Sequence, residues 1–269
     1  MDSSNTKPEN PNILLKIAYD GSGFHGWQKQ PGIRTVQGVL EERLERICGA
    51  SVLLEGTSRT DAGVHALGQY ATMRGAFGIP VNRIKTAMNN LLSDAMILSA
   101  EEKAGDFHAR FSAAGKTYIY RFAVAPPAPV FLRNYTWVLK DRPNTSMMSE
   151  TAKYLEGSHD FACIQAAGGT QRETTVRTIF KAKVRETKGD DPAGNAYEAI
   201  ELEVTGDGFL YNMVRIIAGT LAEAGYGRLA PKDIENIIMS GDRRKAGPTA
   251  PPQGLYLREV YFDKAFDVQ

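Results

Sequence analysis

The chain has 269 residues, of which 42% are hydrophobic and 23% are charged, a composition typical of globular proteins and not of disordered or fibrous ones. No apolar run approaches the roughly 18 residues that a membrane-spanning helix requires, because the best stretch, 211–221, is interrupted by Asn212 and Arg215. The net charge of +1 provides no overall attraction to nucleic acid. An RNA-binding surface would therefore have to come from local clusters of the 32 basic residues.

The leader and the cysteines indicate the compartment. Residues 1–12 are polar, include two prolines and lack both an apolar core and an arginine-rich amphipathic pattern, so we predict a short disordered tail. Cys48 and Cys163 lie far apart and outside any Cys-x-x-Cys pattern, which argues against a disulfide framework and a structural zinc. These features favour a reducing cytoplasm. No two of the four histidines have metal-ligand spacing, so no metal site is predicted.

Hydrophobic periodicity predicts the elements of the first half of the chain. Alternation over 13–19 indicates a strand that ends at Asp20-Gly21-Ser22-Gly23. An apolar stripe at Val36, Leu40, Leu44 and Ile47 then indicates a helix, with Thr35 as its N-cap and Gly49 just past its end. Two strands, a helix and a closing strand are predicted next, at 51–57, 69–73, 81–91 and 95–100. The predicted order is βαββαβ.

The second half repeats this order with longer loops. Strand patterns occur at 116–124, 178–186, 196–205 and 254–262, and helix patterns at 147–156, 211–224 and 231–239. Loops are predicted at 125–129, 157–172 and 247–252. We predict an α+β fold of two tandem ferredoxin-like lobes, 13–113 and 114–269, with mainly antiparallel sheets.

The segment 56–69 concentrates side chains that can carry chemistry. An Asp before Ala-Gly, as at Asp61, is most often a turn residue that bonds its own backbone. Here Arg59 precedes the Asp, His65 follows it, and hydroxyls occur at 57, 58 and 60 beside three glycines that permit close backbone approach. A segment that only turns the chain does not need this density of functional groups.

The segment resembles the active-site motif of the tRNA pseudouridine synthase A family, in which an Arg-Thr-Asp-Ala-Gly-Val-His run carries the catalytic aspartate. Ser58 departs from the family pattern, which often has Gly before the Arg. Further matches follow in order along nearly the whole chain: Tyr19-Asp20-Gly21-Ser22, Gly26-Trp27-Gln28, Phe107 to Ser112, Lys116-Thr117-Tyr118, Phe209 to Arg215 and Gly254 to Leu257.

The resemblance implies an enzyme that isomerises uridine to pseudouridine without a cofactor. Asp61 would be the catalytic carboxylate, acting at C6, at the anomeric carbon or at the 2′ position, among which the sequence does not decide. Arg59 would pair with Asp61 and help to displace RNA, and Tyr118 would stack on a flipped uracil. Arg215 would be a basic partner of Asp61. Each of these side chains also has an ordinary structural interpretation, as a salt bridge, a core ring or a surface arginine.

The resemblance also implies an active-site cleft between the two lobes and a homodimer. The substrate that it implies is the anticodon stem and loop of tRNA at positions 38 to 40. Further RNA contacts are predicted at His65, Arg110, Arg243 and Arg244, with loop packing as the other interpretation of His65. Basic clusters of this kind are also common on solvated faces. They comprise Arg172, Arg177, Lys181, Lys183 and Arg185; Arg243, Arg244 and Lys245; and Arg110, Lys116 and Arg121 among Phe107, Phe111, Tyr118 and Tyr120.

Two alternatives remain at this point. A non-catalytic tandem RNA-binding module would need paired exposed aromatic residues on central strands, and no such pattern occurs. A glycosidase-like enzyme that used Asp61 would usually need a second carboxylate, and none stands near the motif in sequence.

Overall fold

The computed structural model describes residues 12–74, 78–125, 130–169, 173–191, 193–194 and 196–263. It is an α+β protein that divides into two compact units, Met1–Ala113 and Ala114–Gln269. Within the described residues, no helix has both the length and the apolar character needed to cross a membrane. The predicted tail up to residue 11, and parts of the loops predicted at 125–129 and 157–172, lie outside the described residues.

Unit 1 has the βαββαβ order that the sequence predicts. Its elements are β1 (Asn12–Tyr19), α1 (Val36–Cys48), β2 (Leu53–Gly56), β3 (His65–Arg74), α2 (Val81–Asn89) and β4 (Ala95–Lys103). The sheet order within this unit is β4-β1-β3-β2, and all three strand pairs are antiparallel. The predicted caps of α1 are confirmed, because Thr35 Oγ1 accepts from the amide of Gly38 at 3.3 Å and Gly49 is left-handed, with φ 69°.

Several element boundaries in unit 1 differ from the prediction by a few residues, and two of them have a clear structural cause. Asn12, assigned from sequence to the tail, begins β1, and its side-chain amide donates to the carbonyls of Gly105 at 2.6 Å and Phe107 at 3.0 Å. Strand β3 begins at His65 rather than Gln69, because Ala66 already pairs with Tyr19 of β1. Both boundaries are set by partners distant in sequence, which local periodicity does not report.

Unit 2 has nine described α-helices and β-strands, including the βαββαβ series predicted from sequence. These are β5 (Gly115–Val124), β6 (Trp137–Leu139), α3 (Thr145–Lys153), β7 (Gly157–Asp160), β8 (Val176–Asp190), β9 (Ala196–Gly206), α4 (Met213–Gly225), α5 (Asp233–Ser240) and β10 (Leu255–Tyr261). The sheet order within this unit is β10-β5-β9-β8-β7, with antiparallel pairs, and β6 pairs with β5 in parallel.

The short strands β6 and β7 were not predicted. Strand β7 falls inside the predicted loop 157–172, and its sequence, Gly-Ser-His-Asp, contains no hydrophobic residue. It is a strand because its backbone pairs with the edge of β8, from Gly157 opposite Ile179 to Asp160 opposite Val176. Backbone hydrogen bonding to an open sheet edge leaves no pattern in side-chain polarity.

A buried carboxylate in unit 1 joins α1 to β2 and to the chain before α1. Glu41 is 3% exposed and accepts hydrogen bonds from the amide of Leu54 at 3.1 Å and from the side chain of Gln37 at 3.0 Å. It also pairs with Lys29 at 2.9 Å, and this hydrogen bond raises the pKa of Lys29. The three contacts satisfy a charge that would otherwise be costly to bury.

We expect Glu41→Ala to lower the free energy of unfolding by about 2 to 4 kcal/mol, because it leaves the buried amide of Leu54 and one side-chain N–H of Gln37 without an acceptor. Lys29→Ala should cost under about 1 kcal/mol, since the lysine side chain is 56% exposed and its ion pair is screened by solvent. Urea unfolding followed by circular dichroism measures both. Equal losses for the two variants would contradict this account.

Candidate active site

Asp61 lies in the connection between β2 and β3, residues 57–64, which we call the Asp61 loop. The amide of Val64 donates to the carbonyl of Asp61 at 3.1 Å, which closes a β-turn. Gly63, at the third position of that turn, has φ +78°, the value that a type II turn requires there and that glycine adopts without steric cost. The turn places Asp61 at its first position, with a half-buried side chain.

The Asp61 loop rests on a second loop, residues 20–28, which we call the Trp27 loop. The amide of Trp27 donates to the carbonyl of Thr60 at 3.0 Å, and the amide of Gly63 donates to the carbonyl of Phe24 at 3.3 Å. Gly26 has φ +89°, and a Cβ atom there would lie 2.6 Å from the carbonyl oxygen of Thr60. Only glycine permits this approach, so the two sequence motifs form one packed unit.

The hydroxyls of the Asp61 loop anchor it to the sheet. Thr60 Oγ1 lies 2.7 Å from the hydroxyl of Tyr19 on β1, and Thr57 Oγ1 donates to the carbonyl of Tyr70 on β3 at 2.9 Å. Gln69, which is fully buried, donates from its amide to the carbonyl of Ser58 at 2.7 Å. Thr57, Ser58 and Thr60 are all buried. These contacts give the hydroxyls of Thr57 and Thr60 a structural role, whereas sequence alone also allowed a chemical one.

His65 follows the loop and is only 2% exposed. Its Nδ1 accepts a hydrogen bond from the amide of Gly21 at 3.0 Å and lies 3.2 Å from a carboxylate oxygen of Asp20. A ring enclosed in this way does not present a surface to RNA. Of the two roles considered for His65, the structure favours loop packing over RNA contact.

Arg59 differs from its neighbours because its side chain is exposed. Its predicted pairing with Asp61 stays a prediction. Ser58 and Thr60 on either side of it are buried, and their packing directs Arg59 to solvent. A guanidinium held outward beside Asp61 is suited to contact an anionic or planar ligand.

Tyr118 lies on β5, the strand between β10 and β9 in the sheet of unit 2, and is 7% exposed. Its ring meets that of Phe209 edge-on, with centroids 5.0 Å apart and an interplanar angle of 80°. Tyr120 lies two residues along the strand and therefore on the same face. Its hydroxyl donates to the carbonyl of Pro251 at 2.8 Å, and burial raises the pKa of this phenol far above its usual range, which keeps it a donor.

Arg215 lies in the first turn of α4 and is half-buried. Its Nε donates to the carbonyl of Ala250 at 2.7 Å, and its Nη1 donates to Asn212 Oδ1 at 2.7 Å. Ala250 belongs to the predicted loop 247–252, which we call the Ala250 loop, and Tyr120 contacts the same loop through Pro251. Tyr120 and Arg215 therefore both contact the Ala250 loop within unit 2.

The Ala250 loop packs closely against α4. A Cβ atom on Gly219 would lie 1.8 Å from the carbonyl oxygen of Pro248. The amide of Gly247 donates to Thr220 Oγ1 at 2.9 Å. This packing fixes the carbonyl of Ala250 that orients Arg215.

The adjacent residues Arg243 and Arg244 differ in exposure and in their hydrogen-bond partners. Arg243 is half-buried and donates to the carbonyl of Gly247 at 2.9 Å and to Thr249 Oγ1 at 3.2 Å, so its guanidinium fastens the Ala250 loop. Arg244 has an 89% exposed side chain and a bidentate contact with Asp242, which lowers the pKa of that carboxyl to about 2. The structure thus favours a structural role for Arg243, whereas Arg244 remains accessible.

The residues of the other basic clusters also differ in their contacts. On β8, Lys181 pairs with Glu203 at 3.2 Å and Arg185 pairs with Glu201, so acidic partners offset part of this predicted patch. Arg110 is exposed, and its guanidinium lies 5.6 Å from the ring of Phe111, which is 77% exposed. Arg172 lies outside the described residues. Arg110 and Phe111 thus present an exposed cation and an exposed aromatic ring in unit 1.

Comparison with known proteins identifies the family of this chain. A family model described as tRNA pseudouridine synthase matches residues 16–112 and 151–263. A tRNA pseudouridine synthase A 2 of Clostridium tetani is 43% identical over 94% of this chain and 99% of its own length. A tRNA pseudouridine synthase A of Ruminiclostridium cellulolyticum is 45% identical over 93% and 99% of the two chains. The chain therefore belongs to the tRNA pseudouridine synthase A family, whose members are intramolecular isomerases.

Proposed function

We propose that this enzyme converts uridine to pseudouridine in the anticodon stem and loop of tRNA, at positions 38 to 40, with Asp61 as its catalytic carboxylate. The observation that carries the proposal is the fixed backbone of the Asp61 loop. It is clamped on the Trp27 loop by two backbone hydrogen bonds and a glycine contact. A carboxylate held on a rigid turn loses little entropy when it meets a substrate.

The reaction is balanced within the substrate. The bond from C1′ to N1 breaks, the uracil turns in place, and a bond forms from C1′ to C5. The hydrogen on C5 leaves as a proton, and N1 takes up a proton, so no electron is gained or lost overall. Asp61 can begin this sequence by attack at C6, by attack at C1′ or by removal of the 2′ hydrogen. No hydride carrier or phosphate donor takes part, so we propose that the enzyme needs no cofactor.

In this proposal Tyr118 and Arg215 act on the same nucleotide as Asp61. The ring of Tyr118 stacks on the flipped uracil and is kept in place by the edge of Phe209. Arg215, tied to Ala250 and Asn212, presents a guanidinium of fixed direction to the nucleotide or to the catalytic carboxylate. Arg59 contacts the displaced RNA, which its exposure supports.

We infer that tRNA outside the reacting nucleotide is held by exposed cations and an aromatic ring. Arg110 beside Phe111 can bind phosphate and stack on a base, and Arg244 can bind phosphate. Phosphate contacts of this kind dominate RNA affinity and make it depend on salt.

We also infer the arrangement that the resemblance implies: two tandem ferredoxin-like lobes, 13–113 and 114–269, with the active site in a cleft between them. The strand orders β4-β1-β3-β2 in unit 1 and β10-β5-β9-β8 in unit 2 support the likeness of the two lobes. We further infer a homodimer, which the resemblance implies. We also infer a cytoplasmic location, which fits a tRNA substrate.

The rival function is a non-catalytic RNA-binding module. Release of tritium from tRNA labelled at uracil C5 separates the two functions, because rejoining through C5 must expel that hydrogen and binding does not. Stoichiometric release with wild-type enzyme would support isomerisation, and tight binding without release would support the rival.

We expect Asp61→Asn to abolish tritium release while tRNA affinity stays within about tenfold of wild type, because the change removes the catalytic charge and not the phosphate contacts. Asp94→Asn is the matched control. Asp94 is a carboxylate of the same unit that pairs with Arg34 at 2.6 Å, and its variant should retain turnover. Product formation by Asp61→Asn would overturn the assignment.

The enzyme should keep its full rate in excess chelator without added nucleotide, because Asp61, Tyr118 and the arginines cover each proposed step. The described residues contain no group of three side chains suited to hold a metal ion. The measurement is tritium release with and without chelator, on tRNA whose fold is checked in parallel. A rate that falls while the tRNA stays folded would contradict the proposal.

Arg243→Ala and Arg244→Ala should have different effects. Arg243→Ala should lower the melting temperature, since it removes hydrogen bonds to the Ala250 loop, each contributing about 1 kcal/mol. Arg244→Ala should weaken tRNA binding and reduce the slope of log affinity against log salt by roughly 0.7 to 0.9, the value of one phosphate contact.

Arg228→Ala is the control for Arg244→Ala. Arg228 is also exposed and also pairs with a nearby acid, Glu223, at 2.8 Å. Its replacement should leave the salt slope unchanged. If Arg244→Ala behaves like Arg228→Ala, the arginine belongs to a solvated face.

A further inference from the structure

Asn212 has a backbone conformation that its position in the helix does not explain. It is the N-cap of α4, with φ 59° and ψ 10°, and is the one non-glycine residue with positive φ in the described parts of the chain. Residues other than glycine adopt this left-handed region at a cost, although asparagine tolerates it better than most. Such outliers concentrate at functional sites.

The side chain of Asn212 does not make the hydrogen bond that is typical of an N-cap asparagine. An asparagine there normally accepts a hydrogen bond from a backbone amide of the first turn. Asn144, the N-cap of α3, does so by accepting from the amide of Met147 at 3.1 Å. Asn212 makes no such capping bond. Its Oδ1 instead accepts from Nη1 of Arg215 at 2.7 Å.

The contact with Arg215 explains why this position holds asparagine and not glycine. Glycine would adopt φ 59° without steric cost but has no acceptor. A guanidinium can only donate, so the atom that faces it must be an acceptor, which the side-chain oxygen of asparagine provides. Together Asn212 Oδ1 and the carbonyl of Ala250 hold two donors of Arg215, Nη1 and Nε, and so fix both the position and the rotation of its plane.

We propose that Asn212 is a positioning residue, whose left-handed backbone and side-chain oxygen hold Arg215 in the orientation that the isomerisation uses. The inference rests on the proposed function, because it assigns Arg215 to the reacting nucleotide or its carboxylate. It adds a residue that acts through Arg215.

The decisive variants are Asn212→Gly, which keeps the left-handed backbone and loses the acceptor, and Asn212→Asp, which keeps both. We expect Asn212→Gly to lower the single-turnover rate at saturating tRNA about ten- to a hundredfold, the effect of losing one hydrogen bond to a charged group. Its tRNA affinity should stay within about threefold and its melting temperature within about 2 °C of wild type. Asn212→Asp should restore most of the rate, since a carboxylate also accepts from a guanidinium.

Asn144→Ala is the matched control. It removes a true capping bond in the same unit and should lower the melting temperature by about 2 to 4 °C while the single-turnover rate stays at the wild-type value. A purely structural role for Asn212 predicts the same pattern for Asn212→Gly. That pattern would overturn the inference.

A double-mutant cycle tests whether the effect passes through Arg215. In an Arg215→Lys background, Asn212→Gly should change the remaining rate by less than about twofold, because lysine lacks the guanidinium that Asn212 holds. An undiminished effect in that background would show that Asn212 acts elsewhere and would overturn the inference.

A readout that needs no turnover separates this inference from the proposed function. In 15N-arginine-labelled protein, the guanidinium signals of Arg215 should show restricted rotation in wild type and Asn212→Asp, and free rotation in Asn212→Gly. If the wild-type enzyme released no tritium, the proposed function would fail while the positioning of Arg215 would still be measured. Equal rotation in wild type and Asn212→Gly would overturn the positioning itself.

Discussion

The close approach of Gly26 to the carbonyl of Thr60 is the contact on which the rest of the candidate site depends. It brings the Trp27 loop within hydrogen-bonding distance of the Asp61 loop, so that both Thr60 and Gly63 bond to it through the backbone. Backbone bonds fix a turn more rigidly than side-chain bonds, because a peptide group has no rotamers to lose. Asp61 can therefore be a short, half-buried side chain and still have a defined position.

In unit 2, a close glycine contact likewise supports a longer side chain, that of Arg215. The approach of Gly219 to Pro248 fixes the Ala250 loop against α4, and the carbonyl of Ala250 then holds Arg215. Arginine has several rotatable bonds, so one backbone acceptor does not fix it, and Asn212 supplies the second acceptor. Two close glycine contacts and one left-handed asparagine thus hold the supports of Asp61 and Arg215 in place, which is the preorganised arrangement that the proposed catalysis needs.

The fold was predictable where hydrophobic periodicity and capping signals agreed. Helix α1 has both the predicted stripe and the predicted caps, Thr35 and Gly49. Strand β7 and the first residues of β3 were not predictable, because they exist through pairing with strands far along the chain. In the site, the motif around Asp61 was evident as a dense group of polar residues. The positions of its members were not, since His65 and Thr60 are buried while Arg59 is exposed.

The sequence by itself determined the family, the order of the elements in each half and the residues that can carry the chemistry, because motifs and periodicity are local properties of the chain. Only the tertiary structure decided which of those residues support the site and which face solvent. Arg243 and Arg244 are adjacent and identical in type, yet one fastens the Ala250 loop and the other is exposed. Hydrogen-bond partners and burial come from segments distant in sequence, so no local pattern distinguishes the two.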